Sequence, residues 1–146
     1  MKRLLQSIVL LGCSICVVGL AAAVPRTPTR GLLFEHIGPE DASIPPFSVE
    51  VGAIDASTRT VILVTLKTFE SVFCLVKRAG NAPPRSPRPM GTFRVTSFKD
   101  GEPEKAFTIY PEAVLSVITR LRRTFEGRNL QMPEVLVTLE TLLTPK

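Results

Sequence analysis

The segment that most constrains the fold is residues 110–128, because its apolar side chains recur at the period of an α-helix. These side chains are Val114, Leu115, Ile118, Leu121 and Phe125. Pro111 suits the first helical position, where a missing N–H group costs nothing, and Gly127 is a typical residue for the helix end. The sequence therefore predicts an amphipathic helix, and the rest of the chain must supply an apolar surface on which this stripe packs.

The opposite side of this helix carries a cluster of arginines, Arg120, Arg122 and Arg123. Cations towards the end of a helix interact favourably with its dipole, so a solvated helix face explains the cluster without any ligand. The functional alternative is a contact surface for single-stranded nucleic acid or another polyanion, formed by Arg94, Arg120 and Arg123. The predicted strand around Arg94 lacks paired aromatic side chains for base stacking, which favours the first interpretation.

The first 24 residues have the layout of a secretory signal peptide, with a short basic head before an uncharged segment. Residues 4–24 carry no charge, and Ala21 and Ala23 form a small-x-small cleavage motif. We expect cleavage after Ala23 and a secreted or periplasmic protein. Two alternatives remain. Residues 4–24 are long enough to stay as an uncleaved membrane anchor. The other alternative is lipidation at Cys13, because residues 10–13 loosely match a lipobox.

Removal of residues 1–23 changes both the charge and the cysteine content of the chain. It leaves 16 basic and 13 acidic side chains, and a net charge of +3 does not by itself indicate nucleic-acid binding. It also removes Cys13 and Cys16, so that Cys74 is the one remaining cysteine and no disulfide forms within the chain. A chain of about 120 residues then relies on its hydrophobic core for stability.

Alternating apolar and polar residues predict three half-buried strands, at residues 47–55, 91–98 and 105–110. The last two flank an Asp100-Gly101 pair, which favours a tight hairpin. Two further runs, residues 60–69 and 71–76, are apolar on both faces and are predicted as central strands, or as strands buried on one side and shielded by a loop on the other. They form either a hairpin or one long bent strand.

Prolines punctuate residues 24–46, so this segment is predicted to be an irregular arm in which residues 31–34 form a short edge strand. Residues 47–146 are then a single α+β domain. At its end, residues 132–143 fit a second helix, with a strand as the alternative. The predicted fold is an antiparallel sheet of about four to six strands, packed on the C-terminal amphipathic helix, with a second short helix or strand at the end.

Few residues offer catalytic or metal-binding chemistry. His36 is the one histidine, and with Cys74 it is the one conceivable Cys–His pair after cleavage. Cys74 lies in an apolar run and is predicted to be buried, whereas His36 lies within the proline-rich arm and is predicted at the surface. Neither a zinc ligand set nor a Gly-rich phosphate loop is encoded, so no metal or cofactor is expected. A small hydrolase using two carboxylates stays open, because only the fold sets their separation.

The most distinctive surface segment is residues 78–90, where prolines alternate with Arg85 and Arg88. Such a loop is stiff and exposed, and it is suited to recognition. The leading hypothesis is therefore an exported, non-enzymatic protein-binding module of the inhibitor, immunity or envelope-accessory type, with Arg85, Arg88 and the arginine face of the helix as contacts. The alternatives are the single-stranded nucleic-acid or polyanion binder and the carboxylate hydrolase.

The export hypothesis predicts the intact mass of the protein recovered outside the cytoplasm. Cleavage after Ala23 gives a chain that begins at Val24 and carries no lipid. A mass that includes residues 4–24 would contradict cleavage, and a diacylglyceryl adduct on Cys13 would establish lipidation instead.

Overall fold

The computed structural model describes residues 27–38, 44–52, 61–82 and 90–145. This part of the chain forms five strands and three helices: β1 Arg30–Ile37, β2 Phe47–Val51, β3 Val61–Val64, α1 Leu66–Gly80, β4 Thr92–Lys99, β5 Glu102–Ile109, α2 Pro111–Gly127 and α3 Glu134–Leu143. The strands make one open sheet, and the fold class is α+β, as the sequence predicts.

The strand order is β3-β2-β1-β4-β5. β1 pairs antiparallel with both β2 and β4, and β4 pairs antiparallel with β5, whereas β2 and β3 run parallel. The sheet is therefore mostly, not wholly, antiparallel. The connection from β2 to β3 passes through residues 53–60, which lie outside the described ranges.

The expected edge strand at residues 31–34 is wrong, because β1 is the central strand of the sheet. The prolines of residues 24–46 predict an irregular segment, but residues 30–37 within it form a regular strand. Leu32 and Phe34 point into the core and are almost fully buried, so β1 contributes apolar surface as well as two hydrogen-bonded ladders. Prolines on both sides of this short alternating run obscured it in the sequence. The division of the chain at residues 46 and 47 remains a prediction.

The two predicted central strands over residues 60–69 and 71–76 are also wrong, since most of this stretch is helix α1. β3 ends at Val64, and Thr65 then caps α1: its Oγ1 accepts a hydrogen bond from the Thr68 N–H group at 3.3 Å. An apolar run fits either a strand or a helix, and the cap decides between them. The buried side chains of α1 recur at helical spacing: Phe69, Val72 and Val76.

α2 confirms the predicted amphipathic helix, with its stripe buried against the sheet and the other helices. Its end differs from the prediction. Asn129, rather than Gly127, adopts the left-handed conformation, with φ of 54°. The Leu130 N–H group donates to the backbone carbonyl of Phe125 at 2.9 Å, and the Asn129 N–H group donates to the backbone carbonyl of Glu126 at 3.0 Å. These two bonds form a Schellman motif that satisfies the last carbonyls of the helix.

Residues 132–143 adopt the helical alternative, as α3, and bury Leu136, Leu139 and Leu143. The hairpin between β4 and β5 is also confirmed. Its two turn residues, Asp100 and Gly101, both have positive φ, which is the geometry of a type I′ turn.

The core lies between one face of the sheet and the helices. On this face the rings of Phe34 and Phe47 stack across β1 and β2 with centroids 4.5 Å apart. The other face carries half-buried and exposed side chains on β1 and β4, including Glu35 and Arg94, and we call it the open face. At Gly31 an added Cβ would lie 2.4 Å from a carbonyl oxygen of β2, so the close approach of these strands requires glycine.

Helix α1 provides a test of the structure at a single hydroxyl. We expect Thr65→Ala to lower the free energy of unfolding by about 1 kcal/mol, because it leaves the Thr68 N–H group without its cap. Thr65→Ser keeps the accepting oxygen and should stay close to the wild type. Urea unfolding measures both variants, and equal stability of all three proteins would contradict a helix start at this position.

Candidate functional site

The structure separates the arginines that the sequence groups into one binding surface. Arg94 lies on the open face, where its Nε donates to the Glu35 carboxylate at 3.0 Å. Arg120 and Arg123 are exposed on α2, which packs on the opposite face of the sheet. A single ligand contact spanning Arg94 and the helix arginines is therefore not formed within the described residues. Arg85 and Arg88 lie outside the described ranges.

Arg122, in the middle of the arginine cluster, joins two helices. Its Nε donates to Glu140 Oε1 at 3.2 Å and its Nη2 to Glu140 Oε2, a bidentate pair between α2 and α3. Its Nη1 also lies 3.9 Å from Glu126. The hydrogen bonding to Glu140 raises the pKa of the Arg122 guanidinium. Arg122 therefore holds α3 against α2. The arginines of the cluster that face solvent are Arg120 and Arg123.

His36 has a structural role. Its Nε2–H group donates to the carbonyl oxygen of Met90 at 2.6 Å, and its ring lies 5.1 Å from the ring of Phe93. It is half-buried rather than on the surface, because β1 lies in the middle of the sheet. These contacts tie β1 to the residues that lead into β4.

Cys74 lies on the exposed side of α1, so the prediction of a buried cysteine is wrong. The burial prediction assumed a strand, whereas in a helix the buried positions are Val72 and Val76 and the residue between them turns outward. No hydrogen bond joins Cys74 to His36 in the described part of the chain. The same residues contain no group of three or more His, Cys, Asp or Glu side chains able to hold a metal ion.

A groove of about 450 Å³ lies between α1 and the β4–β5 hairpin. Arg30 crosses it and donates through Nη2 to Glu70 at 2.9 Å. Its lining mixes aromatic rings with charges of both signs: Phe69, Phe73, Phe98, Lys99, Asp100 and Glu104. Glu70, the acidic residue that α1 contributes to this groove, is engaged by Arg30, and the charges of both signs in the lining offer no single ligand chemistry.

A second groove, of about 480 Å³, lies beside α3, and we call it the α3 groove. Its lining is mainly apolar: Ile44, Pro45, Pro133, Val135, Leu139 and Leu142, with Glu134 and Thr138 as its polar members. Leu142 is 52% exposed although it is a large apolar side chain. An apolar groove with few polar groups is the usual form of a binding site.

Sequence reasoning missed the α3 groove, although one signal for it was present. Besides its buried stripe, α3 carries Val137 and Leu142 outside that stripe, and both are more than 40% exposed. A helix that is apolar on more than one side normally has more than one side covered. Ile44 and Pro45, on the other wall, come from a segment whose position the sequence did not indicate.

Comparisons with protein-family models, with curated proteins and with solved structures find no significant match. Among the helices within the described ranges, none combines the length and hydropathy needed to cross a membrane.

The exposure of Cys74 predicts its reactivity. A thiol reagent such as dithionitrobenzoate should modify Cys74 of a folded chain prepared without residues 1–23, and no denaturant should be needed, because Cys74 is exposed on α1. Absorbance of the released thiolate measures the reaction. Modification only after unfolding would show that Cys74 is buried and would contradict the placement of α1.

Proposed function

We propose that this protein is an exported, non-enzymatic module that binds another protein, of the inhibitor, immunity or envelope-accessory type. The observation that supports this function best is the α3 groove, an apolar concavity on the surface of a helix that the fold already holds in place. His36 is hydrogen-bonded to the Met90 carbonyl, and Cys74 is exposed on α1 without a hydrogen bond to His36. These two observations support a binding role over nucleophilic catalysis.

The charge pattern of α3 fits a protein contact. Glu140 is bound by Arg122 and faces α2, so it does not charge the outer side of the helix. The residues of α3 that line the groove beyond its first turn are uncharged: Thr138, Leu139 and Leu142. Protein interfaces are depleted of charge at their centre, and a buried charge there would have to be desolvated.

The lining of the groove indicates what the partner presents. Apolar walls favour an aliphatic or aromatic side chain, which would cover the exposed part of Leu142. Pro45 and Pro133 stiffen two of the walls, so the groove loses little conformational entropy on binding. Glu134, which is exposed at the groove, favours a lysine or arginine next to the apolar anchor in the partner.

Two further features bear on the same proposal. The signal-like N-terminus implies that the partner is met outside the cytoplasm. The exposed Arg120 and Arg123 remain candidate secondary contacts, and so do Arg85 and Arg88 of the proline-rich segment that precedes β4 in the sequence. Arg120 and Arg123 are not among the described residues that line the α3 groove, so their contribution is separable from it by mutation.

Capture of a partner from periplasmic or secreted extract tests the proposal with a matched pair of variants. We expect Leu142→Lys to reduce capture at least tenfold, because it places an ammonium group in the apolar groove. Val137→Lys is the control, since Val137 is exposed on the same helix but does not line the groove. Quantitative mass spectrometry of the captured protein, with photo-crosslinking from position 138, gives the readout.

Equal capture by the wild type and Leu142→Lys would exclude the α3 groove as the contact. If the double substitution Arg85→Ala and Arg88→Ala then abolished capture, the proline-rich segment would be the binding surface instead. Loss of capture in both lysine variants would point to general damage of α3, which urea unfolding of the same proteins detects.

A further inference from the structure

The two edges of the sheet are built differently. β5 carries side chains that discourage pairing with another strand: Glu102, Pro103, Glu104 and Lys105. β3, at the other edge, is Val61-Ile62-Leu63-Val64, without a charge or a proline. No described strand pairs with its outer side. Charges and prolines are common means of protecting such an edge, and β3 has neither, so its outer side is open to pairing with another strand.

The hydrogen bonds between β3 and β2 show which backbone groups of β3 are directed outward and can pair with another strand. The Gly52 N–H group donates to the Val64 carbonyl at 3.4 Å, so Val64 directs its backbone groups towards β2. Successive residues of a strand alternate in direction, and Ile62 therefore also faces β2. Val61 and Leu63 are left with their N–H and C=O groups directed outward.

We propose that a second copy of this chain covers the edge, with the two β3 strands pairing antiparallel about a two-fold axis at Ile62. In this register Val61 lies opposite Leu63 of the second copy, and the symmetric pair forms on the other side of the axis. Both are hydrogen-bonded pairs, which gives about four backbone hydrogen bonds. The two sheets join into one continuous sheet, and the closed symmetry leaves neither β3 edge open.

Self-pairing suits the side chains of β3 as well as its backbone. An axis perpendicular to the sheet keeps the open faces of both copies on the same side. Leu63, which is 38% exposed on that face, then packs against Val61 of the second copy. Because β3 has no charge, the axis brings no like charges together. The same operation on β5 would oppose its acidic residues.

The pairing is independent of the α3 groove, and the proposed assembly carries the groove twice. The strand contact is short, so we expect a dimer with a dissociation constant in the micromolar range or weaker. Sedimentation equilibrium of the processed chain from about 1 μM to 1 mM covers this range. A reductant must be present, because exposed Cys74 would otherwise allow a disulfide-linked dimer.

Leu63→Pro is the most specific variant. Proline removes the outward N–H group of Leu63 and leaves the ladder to β2 intact, so the average mass at high concentration should fall to that of one chain. Leu63→Ile keeps both the N–H group and the apolar side chain and should still dimerise. Leu63→Lys, a typical edge-guarding residue, should also give a monomer and replaces the proline variant if that one does not fold.

A wild-type chain that stays monomeric over the whole concentration range would overturn the proposal. So would a dimer that persists in folded Leu63→Pro or Leu63→Lys, since its contact would then lie elsewhere. Capture of a partner through the α3 groove is measured separately, so failure of the dimer leaves the proposed function standing, and the reverse also holds.

Discussion

The structure depends on the central position of β1, which holds two otherwise separate ribbons together. β2 and β3 lie on one side of it, and the β4–β5 hairpin lies on the other. The ladder to β4 runs the full length of β1, and the ladder to β2 covers its first half. Leu32 and Phe34 add buried apolar surface to these hydrogen bonds. Without β1 the helices would have two narrow ribbons to cover instead of one broad face.

This arrangement leaves two apolar surfaces that the fold itself does not require. The Arg122–Glu140 pair and the buried leucines hold α3 against α2, which is sufficient to fix the helix. The outer side of α3 and its groove are therefore available for a partner. The outer backbone edge of β3 is likewise not used by another described strand, although Ile62 and Val64 of this strand point into the core. In contrast, the exposed charges on β5 keep the opposite edge of the sheet solvated.

The sequence was a reliable guide where a periodic pattern had clear end signals. Helix α2 begins at Pro111 and has a clear apolar stripe, and the β4–β5 hairpin has an Asp-Gly turn, so both elements are predictable. α1 was not, because an apolar run fits two periods and only Thr65 distinguishes them. That one error also reversed the exposure of Cys74. The central position of β1 is not predictable from its own residues, because it depends on pairing with strands on both sides. The α3 groove is not predictable either, because its walls come from segments far apart in the sequence.

Hydrogen–deuterium exchange of the backbone amides tests the central role of β1 most directly. We expect the amides of Leu32, Leu33 and Phe34 to exchange among the slowest in the protein, at rates governed by global unfolding, because ladders flank them on both sides. The amides of exposed turn residues such as Asp100 should exchange far faster. If the β1 amides exchanged as fast as those of the turns, residues 30–37 would be an irregular arm, and the proposed sheet order would be contradicted.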